Sequence, residues 1–319
     1  MRVASLLPSA TEMVCALGMR DALVGVSHEC DFPQDVVGLP VLTRSKVALA
    51  GRSGEIDRDV RAVLADALAV YDVLVEELER VRPDVIVTQD LCDVCAVSFA
   101  DVERAVRRLT RPDVRIVNLH PTRLDDVLQD VRRVGEALDR TQAADGLVAS
   151  LGARLDELAA RAALLPTRPH VLTIEWIDPV MIGGTWMPEL VAIAGGTALV
   201  TRPGDHAPTL DESALAGLDP APDVVLVKPC GFPLARTFRE ADALRALLAA
   251  MPWPAVHEGR VFVADGNAYF NRPGPRLVES LEILAAAVHP TEFEDLARRH
   301  AGALRRVTRD LRLLEVQTT

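Results

Sequence analysis

The chain has 319 residues, 49% of them hydrophobic and 25% charged, and its formal charge is 35 − 46 = −11. That composition belongs to an ordinary globular protein long enough for two lobes with separate cores. An acidic chain without a basic cluster excludes nucleic acid and anionic membrane as expected partners. No apolar run nears the ~18 residues that span a bilayer, so membrane insertion is not expected.

Met1 to Leu7 runs straight into Pro8 without the apolar core and cleavage site of a secretory signal, which predicts a cytoplasmic location. Residues 2–7 read as a first strand, and Ser9 followed by Glu12 reads as a capping box opening a helix to Gly18. Ala22–Ser27 is a second strand, leaving through Ser27-His28-Glu29-Cys30-Asp31. Residues 32–56 look irregular, and 57–81 look helical with a break near Tyr71-Asp72. Val85-Ile86-Val87 is a strand whose exit carries Cys92-Asp93-Val94-Cys95. A helix over 99–109 and a strand over 114–118 close a first lobe, 1–122.

From Arg123 to about Leu164, Leu124, Val127, Leu128, Val131, Val134, Leu138, Ala144, Leu147, Leu151, Leu155 and Leu158 mark one apolar stripe. If Gly135, Gly146 and Gly152 leave it intact, residues 123–165 form one helix of about 40 residues, roughly 60 Å long, a strut between lobes. A kink near Gly146 is the alternative. Strands at 170–174, 224–227 and 261–263, each followed by a helix, build a second lobe over 166–290, and 291–319 is expected as a helical extension. The fold class is therefore α/β, with two Rossmann-like lobes of mostly parallel sheet, one connecting helix and a cleft between the lobes.

Ligands of open parallel sheets bind beyond the carboxyl ends of the strands, where most of the chemically distinctive residues of this chain fall. His28, Trp176, Asp178, Trp186, Tyr269, Asn271, Arg272 and Arg276 are the candidate ligand-binding residues. The tryptophans suit a wall for a flat ligand, and the arginines suit a carboxylate or phosphate; core packing and rim salt bridges are the plainer readings. His28 reads as an acid-base group, an axial ligand or a hydrogen-bonding loop residue. Trp253, between two prolines, reads as core, as does Cys15.

Cys30, Cys92, Cys95 and Cys230 all follow strands and are the candidate metal ligands, for zinc or an iron-sulfur cluster. Unliganded buried thiols and a redox pair at Cys92/Cys95 are the other readings. No G-x-G-x-x-G, Walker lysine or G-x-S-x-G pattern supports a nucleotide-binding or hydrolase reading.

Ser5-Leu6-Leu7-Pro8-Ser9-Ala10-Thr11-Glu12, Leu17-Gly18, Arg82-Pro83-Asp84-Val85-Ile86-Val87, Pro188-Glu189-Leu190 with Ala194-Gly195-Gly196, and Pro222-Asp223-Val224-Val225-Leu226 carry a further signal. Over about residues 2–288 the chain resembles the helical-backbone class of ABC-transporter substrate-binding proteins, within it the vitamin B12-binding branch. The resemblance implies a stiff two-lobed clamp that holds a corrinoid, haem, siderophore or metal ion between its lobes. It also implies an acidic residue on each lobe facing a permease, with Glu12, Glu103 and Glu212 as loose candidates. An ABC permease is an expected partner only if a leader precedes this sequence. The expected function is binding of a small molecule, cobalamin first. The alternative is an intracellular metal or iron-sulfur protein with the four cysteines as ligands; whether it is an enzyme stays open.

Overall fold

The computed structural model describes residues 1–48, 50–65, 70–89 and 113–307. In the N-terminal lobe, β1 (Val3–Ser5), β2 (Leu23–Gly25), β5 (Val85–Gln89) and β6 (Arg115–Leu119) form a parallel sheet in the order β2-β1-β5-β6. Beside it, β3 (Thr43–Ser45) and β4 (Tyr71–Val73) pair antiparallel. All five residues of β5 are buried, as expected for a strand covered on both faces. Helices α1 (Pro8–Ala16), α2 (Ser53–Ala65) and α3 (Val75–Val81) belong to this lobe. The expected 57–81 helix is thus two helices with β4 at the break. The capping box does not form: α1 begins at Pro8, which suits a first helical turn, and no side chain caps it.

The expected 40-residue strut is two helices, α4 (Leu124–Ala137) and α5 (Thr141–Ala163). The break falls at neither Gly146 nor Gly152, which lie inside α5, but at residues 138–140. There Asp139 takes a left-handed φ of 56° and the Arg140 amide bonds the Gly135 carbonyl at 2.7 Å. Gly135 permits the turn to fold tightly: a Cβ on it would lie 2.3 Å from the Ala144 Cβ on α5. α4 therefore packs on the first lobe, and the 23 residues of α5, about 35 Å, connect the lobes.

The second lobe holds a seven-stranded mixed sheet, β10-β8-β7-β11-β12-β13 with β9 on β7. Its centre, β7 (His170–Trp176), β11 (Val224–Val227) and β12 (Val261–Ala264), is parallel. The edges are antiparallel: β8 (Val180–Ile182) with β10 (Thr209–Leu210), and β13 (Leu304–Val307) on β12; β9 is Thr197–Ala198. Its helices are α6 (Met187–Ile193), α7 (Glu212–Ala216), α8 (Leu234–Thr237), α9 (Ala241–Ala249), α10 (Pro254–His257), α11 (Leu277–Val288) and α12 (Glu294–Arg299). Of the expected C-terminal helical extension, the described residues form one short helix and the edge strand β13, and 308–319 lie outside them.

One face of each sheet shares a single core. It runs from Val3, Met13 and Val87 through Ala144, Val148, Leu151, Leu155 and Leu158 of α5 to Leu190 of α6 and α11, which is buried at every residue but Glu279. Among the described residues, no helix is long and apolar enough to cross a membrane.

Candidate ligand cleft

The loops leaving β1, β2, β7, β11 and β12 meet where the two lobes face each other. On the first lobe, the β2 exit is tied down residue by residue. His28 Nδ1 lies 2.7 Å from Thr43 Oγ1, Glu29 accepts a hydrogen bond from the Tyr71 hydroxyl at 3.0 Å, and Cys30 Sγ lies 3.1 Å from Thr11 Oγ1. The His28 ring also meets Tyr71 edge-on at 5.1 Å. Burial lowers the His28 pKa, raises that of Glu29, and pushes the Cys30 thiol up to about 12. His28 and Glu29 do not pair with each other. Both engage Tyr71.

On the second lobe, Lys228 follows the four apolar residues of β11 and is completely buried. Its ammonium donates to Glu175 Oε2 and Asn271 Oδ1, both at 2.8 Å, so the buried charge is paired with a carboxylate and an amide oxygen. Asn271 returns bonds from Nδ2 to the Lys228 and Gly266 carbonyls, stitching the β11 and β12 exits together.

Several side chains cross between the lobes. Arg272, from the loop after β12, donates to both carboxylate oxygens of Asp31 and, at 3.3 Å, to Glu12 Oε1. Arg276 forks onto the same Glu12 carboxylate and covers the Phe32 ring at 4.0 Å. Asn267 donates to Asp31 and accepts from Arg272. At another point, Glu240 accepts from the Ser53 amide and hydroxyl, and Arg236 donates to the Gly51 carbonyl. Phe232 enters the first lobe's second core beside Leu6, Leu42 and Val47, with the Trp176 ring edge-on at 5.1 Å.

A two-lobed frame of this kind, with a helix across the back and polar loops at the strand ends, has a family counterpart. The family model described as "Periplasmic binding protein" matches residues 3–268. The chain belongs to this family. An uncharacterised ABC transporter substrate-binding lipoprotein, YvrC, of Bacillus subtilis is 23% identical over 92% of this chain and 82% of its own length. A cobalamin-binding protein of Halobacterium salinarum is 25% identical, over 91% of this chain and 70% of its own. Among solved structures, the periplasmic vitamin B12-binding protein BtuF of Vibrio cholerae superposes with a TM-score of 0.64 at 18% identity, covering 93% of this chain and 98% of that one. A periplasmic haem-binding protein of Pseudomonas aeruginosa gives 0.65 at 23%, covering 91% and 93%. These two likenesses concern the fold.

Within the family frame, the candidate residues separate. His28, Trp176 and Tyr269 lie at the strand exits around the cleft, and exposed Asp178 sits against Gly54 of the opposite lobe. Trp186 does not line the cleft. It is buried in the main core, its indole N–H donating to the Phe270 carbonyl at 2.8 Å. Arg272 is paired with Asp31 and Glu12, and Arg276 with Glu12, rather than held unpaired for a ligand anion. Asn271 serves the loop. Trp253 is core, as expected.

Of the cysteines, Cys15, Cys30 and Cys230 are unpaired thiols, whereas Cys92, Cys95 and Glu103 lie outside the described residues. Among the described residues no group of three or more His, Cys, Asp or Glu is placed to hold a metal ion. Glu12 is only 4% exposed and engaged by two arginines, so it presents no acid to a permease; Glu212 is exposed.

Asp31, Lys228, Glu240 and Phe232 join the two lobes or their loops without being candidates on sequence grounds. A lysine directly after a four-residue apolar strand was a usable signal for Lys228, because strand exits are where such folds place polar ligand contacts. Glu12 gave no such signal, since its spacing from Ser9 imitates a cap.

Proposed function

We propose that the chain is a small-ligand-binding protein that closes its lobes on a metal-containing tetrapyrrole, with a corrinoid such as cobalamin first. The observation that carries this reading is the set of strand-exit residues His28, Trp176 and Tyr269, with Tyr71 of β4 against the His28 ring, gathered where two strut-linked lobes meet. Support for the ligand class comes from the halobacterial relative named as a cobalamin-binding protein. An ABC permease would be the partner receiving the ligand. Nothing among the described residues favours the four-thiolate alternative.

The test is calorimetric titration of the full chain with cobalamin and, separately, haem. Saturable one-to-one binding of either supports the reading, with the tighter ligand taken as the preferred one. No heat from either at high micromolar ligand overturns it.

A further inference from the structure

His28 Nε2 is buried and has no hydrogen-bond partner, although an unpaired ring nitrogen in a protein interior is costly. The other ring nitrogen is committed. Thr43 Oγ1 donates to Ser27 Oγ at 3.0 Å, accepts the His28 backbone N–H at 3.1 Å, and lies 2.7 Å from Nδ1. A hydroxyl has one proton to give. With that proton on Ser27, Nδ1 must carry the ring N–H and donate it to Thr43, which leaves the Nε2 lone pair free. One ring nitrogen anchored to a protein oxygen and the other unpartnered is the arrangement that orients an imidazole for a metal.

The ring is held rather than swinging. Tyr71 packs edge-on against it, and the Tyr71 hydroxyl is itself fixed by Glu29. The next residue's carbonyl, that of Glu29, meets Arg272 from the opposite lobe, so the segment sits on the cleft. Burial also favours the neutral ring.

We propose that His28 Nε2 is an axial donor to the cobalt or iron of the bound tetrapyrrole. The assignment rests on the ligand class proposed above and names the contact that selects it. One bond forms, metal to Nε2, and one breaks, metal to a bound water, which leaves. No electron is transferred, and the ring proton stays on Nδ1, hydrogen-bonded to Thr43 Oγ1. A metal-free ligand or one whose exchangeable axial position is blocked would bind without this bond.

The experiment titrates the full chain with aquocobalamin, ferric haem and cyanocobalamin, following heat and visible absorption together. His28→Gln and His28→Gly are compared with the wild type, the latter with and without added imidazole. Expected are a band shift with aquocobalamin or haem, none with cyanocobalamin, loss of the shift and about tenfold or weaker binding in His28→Gln, and its return when imidazole is added to His28→Gly. Binding heat without a band shift in the wild type, or an unchanged shift in His28→Gln, overturns the axial assignment and leaves the ligand class standing. No heat from any of the three overturns the ligand class and the assignment together.

Discussion

Arg272 of the second lobe places Nη1 3.3 Å from Glu12 Oε1, on the first helix of the first lobe, with both side chains less than a tenth exposed. Arg276 shares that carboxylate and Asp31 shares Arg272, so four charges form one bridge between lobes. Removing one member of a buried pair leaves its partner charged and desolvated, a loss of roughly 3–5 kcal/mol. Glu12→Ala is therefore expected to lower stability by about 3 kcal/mol and to enlarge the particle as the lobes part. Denaturant melts and small-angle scattering check both; an unchanged radius of gyration would show that other contacts hold the lobes.

Asp31 gives the bridge a pH dependence. Burial pushes its pKa up, but hydrogen bonds and charge from Arg272, with Asn267 and Arg276, outweigh this and hold it below the usual range. A lowered folded pKa stabilises above the unfolded value of about 4 and is lost as pH falls through the folded one. Lobe opening on acidification, read by scattering between about pH 5 and 2, should be weakened in Asp31→Asn, whose lobes are already loosened at pH 7.

Asp130 on α4 behaves oppositely. It is 1% exposed, its Oδ2 has no partner, and burial raises its pKa to about 7 despite Arg133. The folded form holds a proton that the unfolded form releases near pH 4, so stability falls as pH rises from about 4 to about 7 and is level above. The cost by pH 8 is roughly 2–4 kcal/mol. Asp130→Asn should stabilise the protein at pH 8 and change little at pH 4, as measured by urea unfolding at the two pH values.

Glu282 on α11 ties α5 to the C-terminal segment through Arg154, Arg299 and His300. Burial opposes ionisation, yet the His300 and Arg154 hydrogen bonds and the arginine charges bring its pKa down to about 2. Its contribution is present above about pH 4.5 and disappears as pH falls through about 2, a difference of roughly 3 kcal/mol. Glu282→Gln should flatten the acid limb of the stability profile by about that amount.

Phe232 fills the first lobe's second core from the other side of the cleft. Phe232→Ala is expected to cost about 3–5 kcal/mol and to shift the fluorescence of Trp176, its edge-on neighbour, to the red. Trp186 and Trp253 are buried elsewhere, so the change in emission reports Trp176. Unchanged emission would separate the two rings in solution.

The α/β alternation, the two lobes and the strand exits were legible because each rests on local periodicity and strand-flanking residues. The helix break was legible in principle: Leu138 to Ala144 is a six-residue step in a pattern of threes and fours. Two residues expected at the cleft misled for a shared reason. Trp186 and Arg272 sit in loops where a ligand role is chemically sensible, but their partners, the Phe270 carbonyl and the Glu12 carboxylate, are 84 and 260 positions away in the chain. No local pattern encodes such pairings. Cys15 reads as core from its helix face and sits against the main core, whereas Cys30, whose place after a strand suits a metal ligand, bonds a threonine.

The shared core along α5 bears on how the molecule comes apart. Ala144, Val148, Leu151, Leu155 and Leu158 are covered by residues from both halves of the chain. Neither half keeps that stripe dry alone, so each depends on the other for its own folding. Melting should be a single cooperative transition, and either half expressed alone should aggregate through the uncovered stripe.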